Sequence, residues 1–237
     1  MKIAVCLSGI MEHSDKSLKS IKNIVPNTDI KIFIHTWQMD ESEVLNKDEI
    51  DNQLKQNLQH YNAEEILIEK FSKKKKLFEK IYKNMKMDPN PPNYVGFLRS
   101  DLGIISMWYS IFKSNQLKRN YEKKNNIIFD KVVRMRFDSD FFDEKYIMNE
   151  NENGIEIPWK DDWGGICDRF AVGPSKEIDH YSNLYNCLLK MNDIYYHPET
   201  ILRKYIETYP LKYNISRIPF LVGINGITKD EAIRIRV

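Results

Sequence analysis

The sequence predicts an α/β fold in which a mostly parallel sheet lies between helical layers. Strand-like and helix-like segments alternate through roughly the first 140 residues, the pattern of repeated βαβ units. The opening strand, residues 3–7, is a continuous apolar run, as expected of a strand buried on both faces. A hydrophobic fraction of 42% over 237 residues is enough for a sizeable core, and the chain is read as one domain.

Ser8-Gly9 follows the first strand, where a strand-to-helix loop lies at the carboxyl edge of a parallel sheet and ligands bind. Ser14 can cap a helix reaching about Ile24, with Leu18, Ile21 and Ile24 on its buried stripe and Pro26-Asn27 beyond its end. A second strand runs from Asp29 to Thr36 with Ile30, Ile32 and Ile34 on one face, and His35-Thr36-Trp37 brings it to the same edge. Residues 47–60 form a polar helix with a narrow contact face of Ile50, Leu54 and Leu58, and Glu65 to Lys70 form a third strand. Lys73 to Lys76 is a basic run beginning a helix, either a solvated surface or a contact for an anionic membrane or phosphate. Asp88-Pro89-Asn90-Pro91-Pro92-Asn93 is a loop that cannot enter a helix. A long helix follows from about Gly96 to Lys124, its stripe made of Leu98, Leu102, Ile105, Trp108, Tyr109, Phe112 and Leu117. Arg99 and Asp101 fall near its start, placed either to hold a phosphate or sugar hydroxyl or to form a surface pair.

The chemistry concentrates at the end of the next strand, Ile127 to Phe137. With a side-chain period of two, Val133, Met135 and Phe137 share one face, and Arg134, Arg136 and Asp138 share the other. Asp140 continues the charged series, so two carboxylates stand roughly 7 Å apart by strand rise. Such a pair suits one hard cation, Mg2+ or Mn2+, which takes one or two carboxylates and completes its shell with water and phosphate oxygens. The bland reading of the same Asp-Ser-Asp is an exposed turn.

Beyond it come a polar turn at Asn149 to Asn153, a short strand at Ile155 to Trp159, and the loop Lys160-Asp161-Asp162-Trp163-Gly164-Gly165. Residues Ile166 to Gly173 return to the sheet, and a helix runs from Pro174-Ser175 to about Met191 with Ser175 and Asp179 suited to capping. His197-Pro198-Glu199-Thr200 begins the last helix. Strand-like pieces around Ile215 to Phe220 and Ala232 to Val237 mark the tail.

Composition narrows the function classes. Lys and Arg total 36 against 34 Asp and Glu, so no global field marks a nucleic-acid binder. Three cysteines without metal spacing, Cys6, Cys167 and Cys187, favour a reducing, cytoplasmic setting. The opening apolar run is too short for a signal sequence, and Leu102 to Phe112 falls short of the roughly 20 residues that span a bilayer. No transmembrane segment is therefore expected, and membrane contact would be peripheral. Neither Gly-x-Gly-x-x-Gly nor Gly-x-x-x-x-Gly-Lys-Ser/Thr occurs, which argues against a Rossmann dehydrogenase and a P-loop NTPase.

In their order along the chain, several segments resemble glycosyltransferases of the GT-A fold, in particular small enzymes of bacterial surface polysaccharides and large-DNA-virus glycans. They are Ile3-Ala4-Val5-Cys6-Leu7-Ser8-Gly9, Ile32-Phe33-Ile34-His35-Thr36-Trp37, Val132 to Asp140, Asp168-Arg169-Phe170-Ala171-Val172-Gly173 and His197-Pro198-Glu199. The resemblance implies a GT-A-like three-layer α/β/α sandwich with a nucleotide-sugar half (1–140) and an acceptor half (141–237). It implies a UDP- or GDP-linked sugar donor, a glycan acceptor, and Asp138 and Asp140 as a DXD motif holding Mn2+ or Mg2+ on the diphosphate. Ser8, Gly9, Thr36, Arg99, Asp101, Arg136 and Asp138 are the expected donor contacts. The Gln-Pro-Arg that many relatives carry after the first glycine is here Ile10-Met11-Glu12, with Arg134 or Arg136 as substitutes.

Inverting transfer also needs a carboxylate to deprotonate the acceptor hydroxyl. Asp168 is the first candidate, with a salt bridge to Arg169 or a loop cap as its structural alternative. Asp161, Asp162 and Glu199 stand in reserve. His197 is a third metal ligand, an acceptor-orienting group or a helix cap. Two other classes compete: a haloacid-dehalogenase-like phosphatase, which expects its first Asp on the first strand, and a non-catalytic nucleotide- or sugar-binding module.

Overall fold

The computed structural model describes residues 1–11, 14–24, 30–38, 47–88, 102–140, 153–159, 162–212 and 214–218. Its strands are β1 (Ile3–Gly9), β2 (Ile30–Gln38), β3 (Glu65–Lys70), β4 (Lys131–Arg136), β5 (Ile155–Pro158), β6 (Phe170–Gly173) and β7 (Ile215–Ile218). They form one sheet in the order β3-β2-β1-β4-β6-β5-β7. β1 pairs in parallel with β2 and β4, and β2 with β3, while β6 is antiparallel to both β4 and β5. Because β5 and β7 pair in parallel, β6 alone runs against the other six strands.

The helices are α1 (Ser14–Ile24), α2 (Lys47–Gln59), α3 (Phe71–Asn84), α4 (Gly103–Asn125), α5 (Ser175–Ser182), α6 (Leu184–Cys187) and α7 (Pro198–Thr208). Strand periodicity divides the core between the two faces of the sheet. Val5, Leu7, Ile32, Ile34, Val133, Met135 and Phe137 pack on one side with Ile21 of α1 and Leu54 and Leu58 of α2. Ala4, Cys6, Phe33, Val132 and Ala171 pack on the other with α3, α4, α5 and α7 through Phe78, Trp108, Tyr181 and Tyr205. Both faces are therefore covered by helices, as a mostly parallel sheet requires.

Chain order and spatial order change sense at β1. The chain passes from β1 to β2 and β3 in one direction, then returns to place β4 on the other flank of β1. The carboxyl ends of β1 and β4 thus form a topological switch point, where open α/β sheets bind ligands. β6 reverses that logic locally: its entrance, not its exit, reaches the same edge. In the antiparallel register Met135 stands opposite Phe170, so Asp168 arrives beside the end of β4.

Several boundaries differ from the sequence expectation. The strand expected from Ile127 starts at Lys131, because α4 ends on Asn126 in the left-handed conformation (φ 52°) and the Ile127 amide turns back to the Glu122 carbonyl. The return to the sheet expected at Ile166–Gly173 pairs only over Phe170–Gly173. The helix expected to run to Met191 breaks at Asn183 into α5, α6 and a 3-10 turn at Leu188–Lys190, since the Asn183 amide bonds the His180 carbonyl and tightens the chain. Ser175 and Asp179 do not cap α5. They bind the buried Lys118 ammonium of α4, Asp179 at 2.8 Å. Residues 89–101 and 219–237 lie outside the described set, and with them Arg99, Asp101 and the expected strand at Ala232–Val237.

The Gly164-Gly165 pair has two separate causes. Gly164 takes φ +76°, a conformation that a side chain resists. Gly165 lies so close to the first turn of α7 that an added Cβ would fall 2.1 Å from the Glu199 carbonyl carbon and oxygen. This contact, together with the Ile166 amide bonded to the Glu199 carbonyl at 3.0 Å, docks the loop preceding β6 onto α7 and brings Asp168 and Glu199 together. Gly165→Ala is expected to destabilise the fold by about 2–4 kcal/mol, because backbone rather than a flexible side chain must move. A melting curve checks this: Tm should fall by about 5–15 °C.

Candidate functional site at the switch point

A cleft of about 370 Å³ opens at the β1/β4 switch point, lined by Ser8 and Gly9 at the end of β1 and Ile10 beyond it, Trp37 of β2, Gly103, Ile104, Ser106 and Met107 of α4, Arg136 at the end of β4, and Phe137 and Asp138 beyond it. Gly9 has φ +119°, and a side chain there would meet no atom of the described residues within 4 Å. Its missing Cβ therefore leaves the backbone open to close approach by a ligand. The 23-residue α4 starts at this wall behind Leu102, which offers no side-chain acceptor for the orphan amides of the first turn.

Strand β4 delivers the charged groups. Arg136 grips Asp138 through two hydrogen bonds, Nε to Oδ1 and Nη2 to Oδ2, both 2.7 Å, a pairing that their shared strand face permits. Burial alone would raise the Asp138 pKa, yet the Arg136 guanidinium holds it below the usual carboxylate range. The turn beyond is tied by Ser139, whose Oγ accepts from the Arg136 amide at 3.2 Å and whose amide bonds the Arg136 carbonyl. Asp140 follows this turn, half-buried and engaged in interactions of its own.

Beside Arg136 lies a buried acidic pocket. Asp168 is 2% exposed and its Oδ2 has no hydrogen-bond partner among the described residues. Glu199, in the first turn of α7, is held above the ordinary carboxylate range by burial and then by Asp168. His197 stands at the N-cap of α7 with Nδ1 2.7 Å from Glu199 Oε2, close enough for an ion pair but out of line for a hydrogen bond. The Arg134 guanidinium is fully buried without a hydrogen-bond partner among the described residues. Tyr181 feels Arg134, Asp168 and Glu199 together, so these groups share one compartment.

The residues expected from sequence are thus distributed as follows. Ser8, Gly9, Arg136 and Asp138 line the cleft. Thr36 is buried on the opposite sheet face, with Ile34, and its neighbour Trp37 lines the cleft instead. Asp162 is engaged by Arg217 in a bidentate pair at 2.8 and 2.9 Å and accepts the Cys167 amide at 3.0 Å, which shapes the loop into β6. Asp161 lies outside the described residues. Among the described residues no three His, Cys, Asp or Glu side chains converge to hold a metal. No helix among them is long and apolar enough to cross a membrane.

Sequence reasoning missed the support behind Gly9. The Gly9 amide donates to Ser110 Oγ at 2.9 Å, Ser110 Oγ lies 2.6 Å from His35 Nδ1, and His35 Nε2 lies 3.1 Å from Glu69 Oε2. Their separation in sequence hides the group: His35 stands 34 residues from Glu69 and 75 from Ser110. No protein-family model matches the chain, and no curated protein matches its sequence.

His35 adds a pH dependence. Burial first, then Lys113 and Lys74, lower its pKa from 6.5 to about 4 against the raising effect of Glu69. Between these values the unfolded chain binds a proton that the folded chain refuses, so stability rises with pH across that window and is lost on acidification. The shift corresponds to about 3 kcal/mol. Chemical denaturation at pH 7 and at pH 4.5 should show this loss, and a His35→Gln variant, though less stable at pH 7, should show a smaller difference between the two.

Proposed function

We propose that the chain is a metal-dependent glycosyltransferase of the GT-A class, moving a sugar from a UDP- or GDP-linked donor to a glycan or other hydroxyl acceptor. The carrying observation is the switch-point cleft, which joins the open Gly9 backbone, the start of α4 and the Arg136–Asp138 pair. Helix N-termini and guanidinium groups favour phosphate, and parallel-sheet switch points are where nucleotides bind. In this reading residues 1–140 form the donor side and 141–237 the acceptor side.

Arg136 takes the place of the arginine missing after Gly9, since Arg134 is fully buried. Asp138 and Asp140 are hard oxygen donors at one strand end, and they fit Mn2+ or Mg2+ with phosphate oxygens and water completing the shell. That cation would stabilise the negative charge growing on the departing nucleoside diphosphate. Asp138 already accepts a cationic partner through both oxygens. Asp138 and Asp140 would hold the cation, and Arg136 would then be available to contact the diphosphate.

Asp168 is assigned as the base that takes the acceptor proton, because its buried Oδ2, without a hydrogen-bond partner among the described residues, reaches the same sheet edge. Glu199, whose pKa is raised, holds its proton more tightly and limits the charge of the acidic pocket. His197 serves as the partner of Glu199. Asp162 positions the loop that carries Asp168.

Calorimetric titration of UDP and GDP with Mn2+, and again with EDTA, tests the reading. One nucleotide should bind only with metal, and binding should weaken by about 30-fold or more in Asp138→Asn and Asp140→Ala as charged metal contacts are lost. Melting curves of both variants should stay near wild type. Equal binding in EDTA, or no binding of either nucleotide, would overturn it.

A further inference from the structure

The hydrogen bonds behind Gly9 continue past His35 to the neighbouring edge strand β3. Glu69, at the end of β3, accepts from Tyr109 Oη at 2.7 Å and pairs with Lys74 Nζ of α3 at 2.9 Å. Burial alone would raise the Glu69 pKa, and the hydrogen bonds from Tyr109, Lys74 and His35 bring it below the ordinary carboxylate range. An ionised carboxylate can only accept, so His35 donates from Nε2 and presents an unprotonated Nδ1. Ser110 then donates its hydroxyl hydrogen to Nδ1 at 2.6 Å, a closer acceptor than the His35 carbonyl at 3.4 Å, and offers a lone pair to the Gly9 amide. Every group in the series then has a partner.

The order serine, histidine, acid invites comparison with a nucleophilic triad. The geometry excludes that role. Ser110 is fully buried within α4, its hydroxyl hydrogen is directed at Nδ1, and its lone pair faces a peptide amide rather than the cleft. What the series does reach is the one peptide of the β1 edge with freedom to turn: glycine at φ +119° populates several backbone regions with little steric preference.

We propose that Ser110, His35 and Glu69 form a positioning relay that fixes the Gly9 peptide at the cleft mouth and thereby sets affinity for the nucleoside diphosphate, a ligand class that rests on the function proposed above. Three strand ends, β1, β2 and β3, are tied together through one side chain of α4, so the cleft wall has a single form before ligand arrives. Preorganisation of this kind raises affinity by removing an ordering cost rather than by adding a contact.

The test begins with the wild-type protein and needs no ligand. Nitrogen-15 NMR of the His35 ring should show the Nε2-protonated neutral tautomer, unchanged between pH 8 and pH 5.5 despite Glu69, Lys74, Tyr109 and Lys113 around it. Ser110→Ala should then speed hydrogen exchange at the Gly9 amide by about tenfold or more and weaken Mn2+-dependent UDP or GDP binding by about tenfold, the value of one hydrogen bond. Glu69→Gln, which keeps an acceptor for Nε2, should retain most of the affinity that Glu69→Ala loses. An Nδ1-protonated or charged ring at pH 7 overturns the relay, as does a folded Ser110→Ala with unchanged Gly9 exchange. If Ser110→Ala does not fold, the ring tautomer and the Glu69 pair decide. Should wild type bind neither nucleotide, the transferase reading fails while ring tautomer and Gly9 exchange still judge the relay.

Discussion

Strand β4 is bonded on one flank to parallel β1 and on the other to antiparallel β6, and the site depends on this change of direction. A parallel partner brings its exit to the carboxyl edge of the sheet. An antiparallel partner brings its entrance there. Arg136, the last residue of β4, and Asp138 beyond it therefore meet Ser8 and Gly9 on one side and Asp168 on the other. A parallel β6 would have carried Asp168 to the far edge, about four strand residues away or roughly 13 Å. The Gly165 contact with α7 completes the arrangement by setting Glu199 next to Asp168.

Two buried cations show how differently charge is treated within one fold. Lys118 is fully buried, yet Glu122, Ser175 and Asp179 surround its ammonium and link α4 to α5. All its donors have oxygen partners, the condition under which a buried charge is tolerated. Arg134, equally buried, has no hydrogen bonds among the described residues. The contrast separates a cation that ties two helices together from one without such a shell.

Much of the scaffold was legible because periodicity carries it. Ile30, Ile32 and Ile34 alternate and pack on one face as expected, and the stripe containing Ile105 and Trp108 is buried on the other. Hydropathy has no direction, however, so the reversal of β6 left no mark in the sequence. Ile127 to Phe129 are apolar enough to read as strand, but the left-handed Asn126 sends them back along α4 first. Leu184 and Leu188 continue a helical spacing through the break at Asn183, which hides it. The shared face of Arg136 and Asp138 was visible, and their mutual grip was not, because a side-chain pair at i and i+2 depends on the turn beyond the strand. Ser110 and His35 meet only through tertiary packing, across 75 residues of chain.

The reversed strand also divides the molecule in a way that bears on how such a site can diversify. The groups after β1 and β4 belong to a tightly registered parallel ladder, where a slip of one residue would turn every inward side chain outward. The segment entering β6 is outside that ladder: it is held by Gly165 against α7 and by Arg217 against Asp162 and the Pro158 carbonyl. Substitutions in it can shift Asp168 while the parallel ladder that carries Ser8, Gly9 and Arg136 keeps its register.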